Sequence, residues 1–435
     1  MRNLQFTEMR AFYAIILGQI VSTIGSGMTR FGIGIWVFAE TGDAAAYSAL
    51  LFFAILPIGL GSLFAGPLVD RLNRKQVILV GNIVASLSTL VIAVFFFTDA
   101  LEIWHLYIAL SINGVANAFI LPALESSIPL LVPKEELGQA SGLTQLVQAL
   151  ETILAPALAG FFVGFLGLGA IFIVDFVTFS AIIIALVVSV IPQPKRKEEP
   201  KSLWGEFVFG IRYITDRPAF LYLMSFVTIA MFLLPGIGYA LVTPLILSFS
   251  TEQVAGLVVS GFGVGSLLGG ILLTVWGGPK RRTMGMLVAT LFAGIGSILV
   301  GIRPNAFLIA FAFIIVGASF VFMVGLNRVI WQTKAAPDVL GRVFSLRVVL
   351  GVGAQSVGIL IAGTLADSIF EPYFMRDGLF ADNLGQLIGV GDGRGMAFMF
   401  ILVGISLILL SIISALTPSI RLLEDRIPDY VEPDI

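Results

Sequence analysis

Gly66-Pro-Leu68-Val-Asp70-Arg71-Leu-Asn73-Arg74-Lys75 lies between two long apolar runs. Hydrophobic sequence on both sides makes it a short loop held at a membrane face. Glycine and proline close the helix before it. One acid and three bases then crowd into the six residues from Asp70 to Lys75. Asn73 tolerates the left-handed backbone that a tight turn can require.

The rest of the chain agrees with a membrane setting. Of its 435 residues, 58% are hydrophobic and only 12% are charged, against about 25% in an ordinary soluble protein. Mean hydropathy is +1.02, and apolar runs recur from end to end. The net charge of -2 says less than its distribution. The absence of cysteine excludes disulfide and thiol chemistry. A single histidine, His105, excludes a histidine-rich metal site. No phosphate-binding glycine loop and no nucleophile or metal constellation occurs, which argues against an enzyme and against ATP-driven transport. No cofactor and no nucleic-acid partner is expected. Glu8 and only two bases precede the first apolar run, which reads as a first span rather than a cleaved leader.

A span needs about 20 apolar residues. Roughly twelve segments meet that criterion, with expected limits 11–38, 46–69, 76–98, 103–131, 138–166, 169–191, 218–248, 252–276, 283–302, 305–333, 340–369 and 396–416. The fold class is an all-α membrane protein of two pseudo-symmetric six-helix halves, 1–191 and 218–416. A linker at 192–217 joins them, and 417–435 forms a tail. The linker opens Pro-Gln-Pro-Lys-Arg-Lys-Glu-Glu-Pro-Lys and continues with Leu203, Trp204, Phe207, Val208 and Ile211 at helical spacing. That is an amphipathic helix expected on the membrane surface, with a plain connector as the simpler alternative. Twenty-one of the 25 Lys and Arg fall on the face that carries the linker, with Arg303, Arg376 and Arg394 opposite and Arg30 inside a span. Positive charge stays inside, so both termini are expected in the cytoplasm.

The halves repeat. Gly66 matches Gly270 at an offset of 204, and Gly138 with Gly160 matches Gly341 with Gly363 at an offset of 203. Parallel repeats of this kind suit alternating access around a central site. The second copy of the charged loop has lost its acid, since Thr274 stands where Asp70 would fall. Gly363-Thr-Leu365-Ala-Asp367 copies part of the string without its bases and is given no mechanistic role. Gly265 and Gly269 form a small-x-x-x-small string that lets helices approach closely.

Ionisable residues inside spans cost about 2.5–3.5 kcal/mol each on insertion scales and so mark candidate sites. Arg30 is a cavity charge for an anionic group or an acid, or a structural pair. Glu151, near mid-depth in the fifth span, is the first candidate for proton coupling. Gln148 shares its face and Gln145 is close by. Gln19, Asn113 and Asn117 complete the candidate cavity wall. Glu125 and Arg328 stand at nearly equivalent places in the two halves and are candidates for an ion-pair latch. Pairing of Glu125 with Arg71 or Arg74 is the alternative. Asp175, close to the outer end of the sixth span, is expected simply to meet interfacial water and headgroups. The cytoplasmic gate is assigned to Gly66, Leu68, Asp70, Arg71, Arg74 and Lys75. Asp70 is expected to rest against the helix N-terminus that opens the eleventh span near Gly341.

The opening stretch resembles the G-x-L-x-D-R-x-G-R-K loop of the major facilitator superfamily, with Asn73 where that family usually has glycine. Further likeness lies in Thr41-Gly42, Leu56-Pro57, Pro122-Ala123, Leu131-Val-Pro133, Ala155-Pro156-Ala157-Leu158-Ala159-Gly160 and Gly341-Arg342-Val343. These resemble the branch holding enterobactin exporters, macrolide efflux permeases and a lysophospholipid transporter. The resemblance implies a carrier driven by the proton gradient, in a bacterial inner (plasma) membrane. One departure matters. Many drug–proton antiporters carry arginine four residues before a fourth-span glycine. Here Leu110 precedes Gly114 at that spacing, so their proton route does not transfer.

The expected function is secondary transport by alternating access, with proton-coupled efflux of an amphiphilic or hydrophobic small molecule, drug or siderophore-like. The protein is expected to act as a monomer in the lipid bilayer. A lysophospholipid permease is the nearest alternative. A non-transporting sensor or assembly protein on a carrier scaffold is the alternative of another class. The outer loop 370–395 reads as either a lid or a flexible surface loop.

Overall fold

A computed structural model describes residues 2–193, 203–427 and 429. All the regular structure in them is helical. Among the described residues, twelve helices are long and apolar enough to cross a membrane. Spans 1–6 are Arg2–Thr41, Ala44–Arg71, Arg74–Phe97, Ile103–Leu131, Leu137–Leu166 and Leu168–Val188. The linker helix is Leu203–Thr215. Span 7 is Pro218–Leu247 and span 8 is Glu252–Trp276. Spans 9 and 10 are Arg282–Ile302 and Ala306–Lys334. Span 11 starts at Pro337, and span 12 is Arg394–Leu416. Large side chains such as Phe307 and Val275 are 88% and 82% exposed. Only lipid makes such a surface stable, because water would penalise so much bare apolar area.

The contacts group the chain into two compact units. One is Met1–Glu198 with Ser250–Ser260, and the other is Glu199–Phe249 with Gly261–Ile435. In the first, span 1 packs on spans 5 and 6, span 2 on span 4, and span 3 on spans 4 and 6. In the second, span 9 packs between spans 10 and 12, and span 11 lies against span 7 and the linker helix.

Lipid removes the hydrophobic drive between helices, so close packing and hydrogen bonds hold them instead. Gly265 illustrates this. A Cβ there would lie 2.0 Å from the Ile314 carbonyl oxygen of span 10, so only glycine allows the approach. Span 7 widens to π-helix over Phe232–Gly238 around Pro235. Proline has no N–H to donate, and the wider turn accommodates its ring.

Several loops depart from the sequence expectation. Asn73 has φ -71° and ψ 111°, not left-handed backbone. It caps span 3, its side chain accepting a 3.2 Å hydrogen bond from the Gln76 amide. Capping satisfies a helix-start amide that a turn would leave free. The linker helix does more than lie on a surface. It packs against spans 7 and 11, and Arg342 of span 11 sits 4.7 Å over the Phe209 ring. Within the 370–395 loop, Phe374 is fully buried and packs at a tilt against Phe380 and Phe398. Glu371 accepts from the Gly393 and Met396 amides at 3.0 and 2.8 Å, which caps span 12. The tail behaves alike: Glu424 accepts from the Arg282 and Thr283 amides, both at 3.1 Å, and caps span 9.

Candidate functional site

The polar centre of the first unit is built on one helix. Span 1 carries Gly25-Ser26-Gly27-Met28-Thr29-Arg30. Ser26 and Thr29 are three residues apart and share a face toward span 6, while Arg30 turns toward span 5. Glycine makes the first contact possible. A Cβ on Gly25 would fall 2.0 Å from the Thr178 hydroxyl oxygen.

That approach buries Asp175 to 1% exposure. Thr29 Oγ1 donates to its Oδ2 at 2.8 Å, and Ser26 Oγ donates to its Oδ1 at 3.3 Å. The expectation that Asp175 meets headgroup water is therefore overturned. The residue points into the helix packing, because span 6 turns this face toward span 1 and not toward lipid. The sequence did hold the signal: two hydroxyls at i and i+3 beside a glycine, with one intramembrane acid to receive them.

On the other side of span 1, Arg30 forms an ion pair and hydrogen bond with Glu151 of span 5. Their side chains are 39% and 25% exposed. The pair is thus neither sealed nor free. Opposite charges at this depth relieve the cost of placing either one alone among apolar helices. Two carboxylates, one arginine and two hydroxyls are gathered on spans 1, 5 and 6.

The remaining candidates disperse. Gln19 donates to Thr23 at 2.9 Å, two turns before Ser26, and its Oε1 is buried without a hydrogen-bond partner. Asn117 donates to the Asn113 side chain at 2.9 Å and to its carbonyl, which makes a local pair on span 4. Gln145 and Gln148 are exposed on span 5. Glu125 and Arg328 are both exposed and belong to different units.

Gly66 and Pro67 do not close span 2, which runs on to Arg71. Only Leu72 and Asn73 separate it from span 3 at Arg74, and the bases of this short connection do structural work. Arg74 Nη1 donates to the Ser126 carbonyl at 2.6 Å. Lys75 Nζ donates to the Val187 and Ser189 carbonyls at 3.2 and 2.8 Å. A cation at the carbonyl end of span 6 satisfies orphan acceptors and suits the helix dipole. Arg71, Leu68 and Gly66 are exposed. The side chain of Asp70, on which the expected gate rests, lies outside the described residues.

An apolar cleft of about 460 Å³ runs between spans 3 and 4. Leu87, Val91 and Ile108 line it and are themselves more than half exposed, so it lies on the lipid-facing flank.

The profile of the Major Facilitator Superfamily matches residues 15–369. The chain belongs to the Major Facilitator Superfamily. It is 28% identical over 370 residues to macrolide efflux protein A of Streptococcus pyogenes, covering 82% of this chain and 90% of that one. It is 23% identical to the multidrug efflux pump Tap of Mycolicibacterium fortuitum, over 83% of this chain and 90% of the relative. A bacterial homolog to the human lysosomal transporter Spinster, solved inward-facing and unoccupied, superposes with a TM-score of 0.71 at 15% identity. That match covers 98% and 99% of the two chains. The nucleoside transporter NupG gives 0.70 at 12% identity, over 93% and 98%. At such identities the solved structures carry the fold alone. This superfamily member is an integral protein of the bacterial plasma membrane and a transporter, not an enzyme.

Proposed function

We propose that this transporter exports an amphiphilic or hydrophobic small molecule, macrolide-like in class, by proton-coupled alternating access. The observation that carries the coupling is the Arg30–Glu151 pair beside the buried Asp175. A carrier that exchanges protons for cargo needs an intramembrane acid whose charge is held by a partner and released when the proton arrives. Glu151 meets that requirement, since it is partly exposed and salt-bridged to Arg30. Asp175, held by two hydroxyls, is a second acid within the same helix cluster.

The efflux names of the relatives support the direction and the cargo class. The lipid-flank cleft supports an amphiphile that reaches the protein from the bilayer. The excess of Lys and Arg on the linker face supports cytoplasmic termini. In this reading 1–191 and 218–416 are the two moving halves and 192–217 is their tether. The protein works as a monomer, draws on the proton gradient and needs no cofactor.

The test is flux of a labelled macrolide and a cationic dye in proteoliposomes under an imposed pH gradient. Gradient-dependent movement that Glu151→Gln abolishes supports the reading. Absence of such flux, with a folded protein that does move lysophospholipid, turns it into a lipid permease. Absence of both favours a non-transporting protein on this scaffold.

A further inference from the structure

The second unit contains an arginine that its own polar network does not satisfy. Arg347 lies ten residues after Pro337 in span 11, roughly 15 Å along the helix. Its Nη1 is buried and has no hydrogen-bond partner. Its guanidinium carbon is 4.8 Å from the Phe344 ring centroid and 5.6 Å from that of Trp331. Both distances lie within cation–π range. The rings fix the plane of the guanidinium but accept none of its N–H bonds.

A second positive charge acts on Arg347, that of Arg328 on span 10. Arg328 precedes Trp331 by three residues and so shares its face. Among the described residues neither arginine forms an ion pair. Buried charges in proteins are ordinarily paired and their donors satisfied. Arg347, unpaired, with a buried and unsatisfied Nη1 against two aromatic rings, is the reverse of that. With the exposed Arg328 as a second cation it matches the charge and fork geometry of an oxyanion.

The wall is rigid. Trp331 is fully buried and stacks on Phe220 at 4.6 Å and 24°. Phe220 stacks on Tyr213 at 6.0 Å, and Tyr213 on Phe209 at 6.3 Å, both in the linker helix. Arg347 is therefore held in one orientation before any ligand arrives, which lowers the ordering cost of binding.

We propose that Arg347 and Arg328 form a binding site for a phosphate group, free in solution or carried on a lipid headgroup. Both arginines belong to the second unit, whereas the polar cluster on spans 1, 5 and 6 belongs to the first. The site does not depend on the proposed export activity.

The test uses the full chain purified in a nonionic detergent. One arm titrates inorganic phosphate calorimetrically. The other reconstitutes the protein in nanodiscs of phosphatidylcholine with phosphatidylglycerol and counts retained lipids by native mass spectrometry. Saturable binding in the first arm assigns a free anion, and selective retention of phosphatidylglycerol in the second assigns a headgroup. Either response should weaken about tenfold or more in Arg347→Gln, which removes charge-assisted bonds. Arg347→Lys should weaken it less, because charge remains but the planar fork is lost. Should Arg347→Gln misfold, Arg328→Gln alters an exposed side chain and carries the same expectation. The proposal is overturned if the native chain responds in neither arm, or if folded arginine variants bind as the native chain does.

Discussion

Thr29 Oγ1 on span 1 lies 2.8 Å from Asp175 Oδ2 on span 6, joining residues 146 positions apart. The bond ties the helix that bears Arg30 to a carboxylate with 1% exposure. Asp175→Asn keeps the shape but turns one acceptor oxygen into a donor, which then faces a hydroxyl. The expected outcome is at least a tenfold loss of gradient-driven flux with the fold retained. Thr29→Ala removes one hydrogen bond, worth about 1 kcal/mol, and should lower flux only a few-fold. Proteoliposome transport assays on both variants, with monodispersity checked by size exclusion, read the difference. Equal flux in Asp175→Asn and the native chain would reduce the cluster to packing.

The Arg30–Glu151 pair separates stability from function. Removing one partner of a buried pair costs about 3–5 kcal/mol because the other charge is stranded. These side chains are 39% and 25% exposed, so a smaller cost, on the order of 1–2 kcal/mol, is expected. Arg30→Gln should therefore lower the melting temperature in detergent. Arg30→Gln with Glu151→Gln should recover most of that loss, since no unpaired charge remains. The double variant should still fail to couple flux to the pH gradient. Recovery of coupled flux together with stability would show that the pair is only structural.

The contrast between Glu151 and Asp175 marks how far sequence carries. Twelve spans, the all-helical class and the superfamily were legible because apolar run length and the Asp70–Lys75 charge pattern are local signals. Arg30 and Glu151 were legible as candidates because any charge within a span is conspicuous. Asp175 was misread because depth was judged from distance along the helix. Which face a helix turns inward depends on packing at Gly25, a contact between spans distant in sequence. The same limit applies to Glu371 and Glu424. Each caps a helix start tens or more residues away, and their spacing in the chain announces nothing. Asn73 erred in the other direction. Its residue type suited a left-handed turn, but the next helix gained more from a cap.

Lys75 and Arg74 are expected to act on stability as well as on topology. Lys75 satisfies two carbonyls at the end of span 6, and Arg74 one in span 4. A side chain that bonds orphan helix carbonyls contributes about 0.5–1.5 kcal/mol per hydrogen bond. Lys75→Ala should lower thermal stability by about 1–2 kcal/mol, and Lys75→Met should do the same despite its similar length. If positive charge only fixed orientation, both variants would melt with the native protein once inserted. Thermal unfolding of the purified chains in one detergent distinguishes the two.

Glu424 offers the corresponding test in the second unit. Its carboxylate accepts from the Arg282 and Thr283 amides at 3.1 Å each, at the N-terminus of span 9 where the helix dipole favours negative charge. Lys334 reinforces the arrangement by donating to the Glu424 carbonyl at 3.0 Å and pairing with Asp429 at 3.0 Å. Glu424→Ala loses the cap and should cost about 1 kcal/mol, within the range for helix caps generally. Glu424→Gln keeps one acceptor oxygen and should lose about half as much. The local signature is faster amide exchange at Arg282 and Thr283, with span 12 unchanged because Glu371 caps it independently. Uniform acceleration across spans 9 and 12 would instead mean that the tail holds the whole unit together.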